Sequence, residues 1–387
     1  MPILAIAVFP CAAQGESKWS LELGAGIRYD TNVQITSDGH PDMVYTVESQ
    51  VGMKYQGADV NLSGTYGLGF ELFETYKNLN RVSQTLTLNG DLSRMMGPVF
   101  PENSTLRFSE VIDDAPFLPN FQSAVTPNRN VTTGGVSTPR TSVFLNYFEI
   151  LESSPISPRN DIQLSYQSTY TQYEDPMLVD SLTNGVTIGI SHKLTRTDTL
   201  NANASYSRFD PHGGGPSFTY TLTVGDKLVF SPVLSGSANL GAGVSRSPIL
   251  NQPQYNSVGS LSISWSLTEK LQLSAQAFRD FSTNSGITNT VLITDSGTVS
   301  LNRQMTKFLS ANVALSAARN YSPGSVTSTG VHTDLHSQDM KFGLNYQLAT
   351  WLVSNLEYHY TRQEGMGTTK DDLNRNQYLF FLRAQWS

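Results

Sequence analysis

The chain has 387 residues, 39% of them hydrophobic and only 15% charged, with a formal net charge of −7. Both fractions fall below those of an average soluble chain, roughly 45–50% apolar and about 25% charged, yet aromatics at 10% exclude a disordered polymer. The acidic balance without any basic block excludes a nucleic-acid surface, and the single cysteine, Cys11, excludes an intrachain disulfide.

The first element is PILAIAVF, residues 2–9, followed by the small residues CAAQG. It is too short for a transmembrane helix, which needs about 20 residues. It reads as the end of a secretory signal peptide cleaved after Ala13. The basic segment that opens such peptides is absent, so residues 1–13 are expected to be a signal peptide or its truncated remnant. Cys11 raises a lipoprotein alternative, but Phe9-Pro10 makes a poor lipobox.

From residue 14 onward helical periodicity is nearly absent and period-two alternation dominates. WSLELGAGIRY sets Trp19, Leu21, Leu23, Ala25, Ile27 and Tyr29 against Ser20, Glu22, Gly24, Gly26 and Arg28. The same pattern recurs in NDIQLSYQSTY, NGVTIGISHKL, GSLSISWSL, DMKFGLNYQL, NLEYHY and the terminal NQYLFFLRAQWS. About 18 strands are expected, and 16 or 20 remain open because 97–140 is irregular. They begin near residues 19, 43, 58, 81, 104, 139, 160, 182, 199, 217, 233, 256, 270, 289, 307, 338, 351 and 376.

The connections alternate between short and long. Gly57-Ala58-Asp59, Ser231-Pro232, Thr268-Glu269-Lys270 and Ala349-Thr350 are short, whereas 30–42, 113–138, 173–180, 320–335 and 363–375 are long and rich in Gly, Pro, Asn and Asp. Strands of about 10–14 residues exceed the five or six usual in a sandwich and match the 9–11 needed to cross a bilayer at a tilt. These features predict an all-β fold, a transmembrane antiparallel up-and-down β-barrel over 14–387 as one domain. An even strand count puts both termini on the short-turn side, the periplasm, and places the chain in the outer membrane of a Gram-negative bacterium. The terminal apolar stripe then closes the barrel against the first strand, because an open edge is not tolerated in hydrocarbon. Trp19, Tyr29, Tyr378 and Trp386 are expected in the aromatic girdles at the membrane interfaces.

Turning the apolar set outward leaves Glu22, Arg28, Glu48, Lys54, Arg81, Asp91, Arg107, Lys193, Lys341, Glu357 and Arg383 inward as pore-lining candidates. Arg or Lys on the lipid side would cost roughly 2–4 kcal/mol at the midplane. Basic residues outnumber acidic ones in this set, which predicts a wide aqueous channel with weak or slightly anionic preference. The long 113–138 segment is expected to narrow it. Leu379 and Phe381, also inward, suggest contact with a plug or loop.

No Walker loop, HExxH, CxxC or GxSxG occurs, and Gly213-Gly214-Gly215 reads as a flexible loop tip. VHTDLHSQD places His332, Asp334 and His336 on one face with Asp339 nearby, a set that suits a divalent metal but reads more simply as a polar loop entering a strand. Asp113-Asp114 and Asp371-Asp372 are expected as solvated charges on outer loops, with calcium bridging to lipopolysaccharide as the alternative. His359 beside Glu357 is the nearest approach to a hydrolase centre, and with so many serines its occurrence is expected by chance. No catalytic centre, cofactor or metal is therefore expected.

YDTNVQI, VGMKYQGADVNLSGTYGLGFELF and NLNRVSQTLTLNGDLS, within Tyr29 to Ser93, resemble the outer-membrane β-barrel porin family of the "porin 2" type, often found beside exopolysaccharide systems. The resemblance lies in Tyr-Asp-x-Asn-Val, in Gly-x-x-Tyr closing the second strand, and in Asn-Arg opening the fourth. It implies an outer-membrane barrel and names no substrate. The aromatic C-terminal strand resembles the signal read by the barrel-assembly machinery, except that Ser387 follows Trp386. The expected partners are outer-membrane lipid and lipopolysaccharide, the assembly machinery, and polysaccharide or envelope proteins; the oligomeric state is not readable. A plugged, non-conducting scaffold for a polysaccharide or secretion machine and a soluble secreted adhesin are the competing readings.

Overall fold

The computed structural model describes residues 15–95, 101, 103–116, 141–248, 252–282, 291–322, 334–365 and 372–386. Residues 1–13, expected as a signal peptide, and also His332, Asp371, Ser387 and most of the 113–138 segment lie outside them.

Eighteen strands follow one another in chain order. They are β1 (Gly15–Asp30), β2 (Asp42–Gly57), β3 (Asn61–Phe73), β4 (Arg81–Asp91), β5 (Thr105–Pro116) and β6 (Ser142–Ser157). Then come β7 (Asn160–Tyr173), β8 (Ser181–Lys193), β9 (Asp198–Pro211), β10 (Ser217–Ser231), β11 (Leu234–Arg246) and β12 (Gln254–Thr268). The last are β13 (Leu271–Ser282), β14 (Leu292–Gln304), β15 (Leu309–Tyr321), β16 (Asp334–Ala349), β17 (Leu352–Gly365) and β18 (Leu373–Trp386). Each starts within four residues of the position expected from alternation.

All neighbours pair antiparallel, and β1 pairs with β18 to close the barrel. Across that seam Leu21 stands opposite Trp386, Ile27 opposite Phe380 and Tyr29 opposite Tyr378. Closure gives every strand two partners, which is what an apolar solvent demands of backbone N–H and C=O groups.

Five of the short turns share one local chemistry. A Ser or Thr at the strand end accepts the backbone N–H two residues on: Ser157 from Arg159 (3.3 Å), Thr195 from Thr197 (3.2 Å), Ser231 from Val233 (3.3 Å), Thr268 from Lys270 (3.2 Å) and Thr306 from Phe308 (3.2 Å). Such hydroxyl-closed turns reverse a chain without glycine. Gly15 pairs with Gly57 beside the turn at 58–60, and Gln385 donates to the Trp351 carbonyl oxygen beside the turn at 350–351, so both described chain ends sit at the short-turn end.

Alternation divides each strand into two faces. Trp19, Tyr29, Tyr378 and Trp386 are 61%, 41%, 52% and 45% exposed on the outward face, where Leu222, Leu240, Tyr255, Leu261 and Leu356 also protrude. The outward belt has a polar stretch between β4 and β6: Gln84, Glu110, Asp114 and Asn146 share it by register, and Asn146 donates to Glu110 at 3.3 Å. Asp113 and Asp114 are thus residues of β5, not of an outer loop as expected. An acidic pair in a chain with few charges looks like a loop, but the ladder runs through it.

The first long connection, 31–41, folds back at the mouth of the barrel. Val33 packs with the inward Val44 and Phe73, and all three are buried, with Tyr76 and Leu79 alongside. Asn32 holds the connection together, donating to Thr36 O (2.7 Å) and accepting from its N–H (3.3 Å).

Candidate channel lining

The register places Glu22, Arg28, Glu48, Lys54, Arg81, Asp91, Arg107, Lys193, Lys341, Glu357 and Arg383 on the face opposite the apolar belt. Most are ion-paired along the wall. Arg383 lies 2.8 Å from Glu22, Lys341 3.0 Å from Glu357, Arg28 3.0 Å from Glu71, Lys193 3.0 Å from Asp161, Arg107 3.6 Å from Asp91, and Arg81 3.3 Å from Glu174. Glu48 stands one strand from Arg383, with Gly24 between them in register.

Several inward charges escaped the sequence reading. Arg375 on β18 donates Nε to Asp30 at 3.0 Å and pairs its Nη2 with the same carboxylate, which also accepts Gln377 (3.0 Å) and the Asn32 N–H (3.1 Å). Asp42 binds the backbone N–H groups of Met43 (2.9 Å), Thr75 (3.0 Å) and Tyr76 (3.0 Å), fixing the β3–β4 connection. Among the described residues Glu16, Glu71, Asp113, Glu149, Asp161, Asp280 and Asp339 also face inward, against Lys18 and Lys227 as further cations besides Arg375. Signals existed for some of these, because each sits at an inward parity of its strand. The strand ends were the obstacle: Asp30, Asp42 and Arg375 lie where alternation gives way to the loops.

The lumen therefore has two unlike walls. From β16 through β18 to β4 it carries a lattice of alternating charges. From β8 to β15 the middle of the wall is uncharged, and hydroxyls bridge adjacent strands: Thr187 to Ser205 (2.9 Å), Ser237 to Ser262 (2.8 Å), Ser274 to Ser300 (2.6 Å) and Thr298 to Ser316 (3.0 Å). Asn239 adds a bond to Ser260 at 3.1 Å. Cross-strand hydroxyl pairs stabilise a sheet face while keeping it wettable.

Phe381, expected against a plug, lies instead across the wall itself. It covers Gly24 and Gly26 of β1, where any Cβ would overlap its ring. The ring fills space that two glycines leave on the neighbouring strand.

The chemical candidates resolve differently. Asp334 and His336 share the outward face of β16 as expected, whereas Asp339 faces inward and so lies apart from them. Asp334 is taken by Arg319, and among the described residues no cluster of three or more His, Cys, Asp or Glu could hold a metal. Glu357 accepts from Lys341 and from Asn355 (3.1 Å) rather than from His359. His359 sits with Nε2 on Asp339 and Nδ1 3.1 Å from Gln377. A hydrolase relay needs the hydroxyl and the carboxylate on opposite imidazole nitrogens. Here Thr361 and Asp339 share Nε2, and Thr361 itself bonds to Asp339 at 3.2 Å.

Among solved structures, Pseudomonas aeruginosa OpdQ superposes with a TM-score of 0.51 at 11% identity, covering 96% of this chain and 99% of its own. Acinetobacter baumannii OccAB3 gives 0.50 at 11%, covering 96% and 99%. The outer membrane protein opdK of Pseudomonas aeruginosa gives 0.50 at 12%, covering 95% and 99%. The chain has the outer-membrane barrel fold. At these identities the similarity is one of architecture, and it extends over almost the whole of each chain. No family model matches the sequence, and no curated protein matches it.

Proposed function

We propose that the protein is a porin-like channel of a Gram-negative outer membrane that lets small hydrophilic solutes cross passively. The observation that carries this reading is a closed barrel of 18 strands with an apolar outer belt and an inner face of hydroxyls, amides and ion pairs. Barrels of about 16–18 strands enclose an aqueous channel unless plugged. The long-loop end is then the cell exterior and the two chain ends are periplasmic. The neutral hydroxyl wall suits polyhydroxylated solutes, and the motifs around Tyr29 to Ser93 extend the reading to saccharides linked to exopolysaccharide export.

The charge balance supports a different ion preference from the one the sequence suggested. With Asp30, Asp42, Glu71, Asp113, Glu149, Asp161 and Asp339 added, inward carboxylates outnumber inward cations. A weakly cation-selective pore follows, because fixed charge raises the local concentration of its counter-ion. Liposomes containing the refolded protein are expected to swell in small sugars, and a potassium chloride gradient across a bilayer to give a small reversal potential of cation sign. Loss of swelling for every solute tried, in correctly folded preparations, would favour a second reading. That reading, a scaffold barrel for an envelope machine, is favoured by the buried Val33–Val44–Phe73 cluster, which already fills one side of the mouth.

A further inference from the structure

The outward belt is uneven. Between β12 and β16 its mid-height positions carry the smallest side chains: Gly259, Ala275, Ala277, Gly297 and Ala317. Leu261 and Ile263 stand on one side of them, Met340 and Tyr360 on the other. The result is a groove in the outer wall, two adjoining hollows of about 650 Å³ and 810 Å³. Elsewhere the belt bulges, as at Leu222 and Val224. Packing forces the small residue at Gly259, where a Cβ would come within 2.7 Å of the Asn239 carbonyl oxygen, but not at Gly297. A Cβ at Gly297 would meet only the Gln276 carbonyl oxygen, at 3.7 Å.

The groove runs up to a row of charge. Gly259, Arg279, Asp295, Arg319, His336 and Glu364 are successive register partners across β12 to β17. Asp334 grips Arg319 through Nε (3.0 Å) and Nη2 (2.8 Å), and the guanidinium lies 4.9 Å from the centre of the Tyr321 ring. Arg279 uses Nη2 on the Tyr321 hydroxyl, with Asp295 3.5 Å from its Nε. That Nε is buried and has no hydrogen-bond partner.

The arginines belong to a longer arc. Each of five successive rising strands places one outward near its long-loop end: Arg208 on β9, Arg246 on β11, Arg279 on β13, Arg319 on β15 and Arg362 on β17. Alternate strands put them roughly 10 Å apart. On β1, β3, β5 and β7 the corresponding places hold Tyr29, Leu72, Asp114 and Gln172. Only one half of the circumference is armed in this way.

We propose that the groove between β12 and β16 binds a phosphorylated, multiply acylated lipid of the outer leaflet, with an acyl chain in the groove and a phosphate on Arg279 and Arg319. This rests on the membrane reading above, with the long-loop end facing outward. The apolar hollow is continuous with the lipid-facing belt, and guanidiniums cap it at headgroup level. Asp295 and Asp334 do not close the site to an anion. A guanidinium has five donors in a fixed fork, so a carboxylate on one edge orients it and leaves donors for phosphate.

The test uses the full chain, delipidated in neutral detergent, and native mass spectrometry with three probes at equal concentration: diphosphoryl lipid A, its phosphate-free counterpart and phosphatidylethanolamine. The diphosphoryl lipid is expected to be retained one per barrel and in preference to both others. Arg279→Gln with Arg319→Gln should lower that retention about tenfold, as loss of charge-assisted bonds implies. Gly297→Leu, which fills the groove, should lower it as well, whereas Ile188→Leu on the far wall should not. Equal retention of the phosphate-free lipid, or retention unchanged in the groove-filled variant, would overturn the proposal. So would a dimer of the chain that Gly297→Leu dissociates. The heat-modifiable gel shift of the same preparations tests the barrel reading separately, so a failure there is not confused with a failure of the lipid site.

Discussion

Asp30 has no solvent exposure and Arg375 only 3%, and their contact crosses the seam that closes the barrel. A buried pair of this kind contributes little net stability when intact, but breaking it strands a charge, at a cost of about 3–5 kcal/mol. Arg375→Ala is therefore expected to lower stability by about that much in unfolding titrations followed by gel mobility. Arg375→Lys should recover only part, since an ammonium cannot reproduce the two-pronged contact. The Tyr-Asp-x-Asn-Val stretch was legible as a motif, and its physical meaning is now plain. Asp30 anchors the seam, Asn32 knots the first long connection, and Val33 packs into the mouth. Its partner was not legible. Arg375 lies 345 residues away, and no local pattern links the two.

At the scale of elements, alternation and turn chemistry made the strands readable, because a wet inside and an oily outside impose period two on nearly every segment. The failures come at boundaries. A one-residue change of parity moves a side chain to the other face. Taking the strand of Asp339 to begin near 338 detached it from Asp334 and His336, and so concealed that they point opposite ways. The pairing of Phe381 with Gly24 and Gly26 was likewise hidden, since it depends on the register between the first and last strands. Gly26→Val is expected to expel the Phe381 ring and press on the Phe380 carbonyl oxygen, which a Cβ there would approach to 2.8 Å. A loss of about 1–3 kcal/mol follows from such overpacking, read as a lower midpoint in the same unfolding assay. Phe381→Leu in the Gly26→Val background should restore part of it.

For the whole molecule, the decisive property is the contrast between its two surfaces and between its two inner walls. Sequence alone pointed to basic lining because it passed over carboxylates both at strand ends, such as Asp30 and Asp42, and within strands, such as Glu149 and Asp339. The structure sets most cations against a neighbouring carboxylate, so removing one cation exposes its partner. Arg383→Gln, which frees Glu22 beside Glu48, is expected to increase cation selectivity, measured as a larger reversal potential in a salt gradient. A shift toward anions would show that these groups do not face the ion path. The most direct test of the channel is single-channel recording of the detergent-refolded protein in a planar bilayer, on material shown by heat-modifiable mobility to be a closed barrel. Uniform steps that grow with salt concentration are the predicted result. A closed barrel that inserts and gives no steps would contradict the open pore.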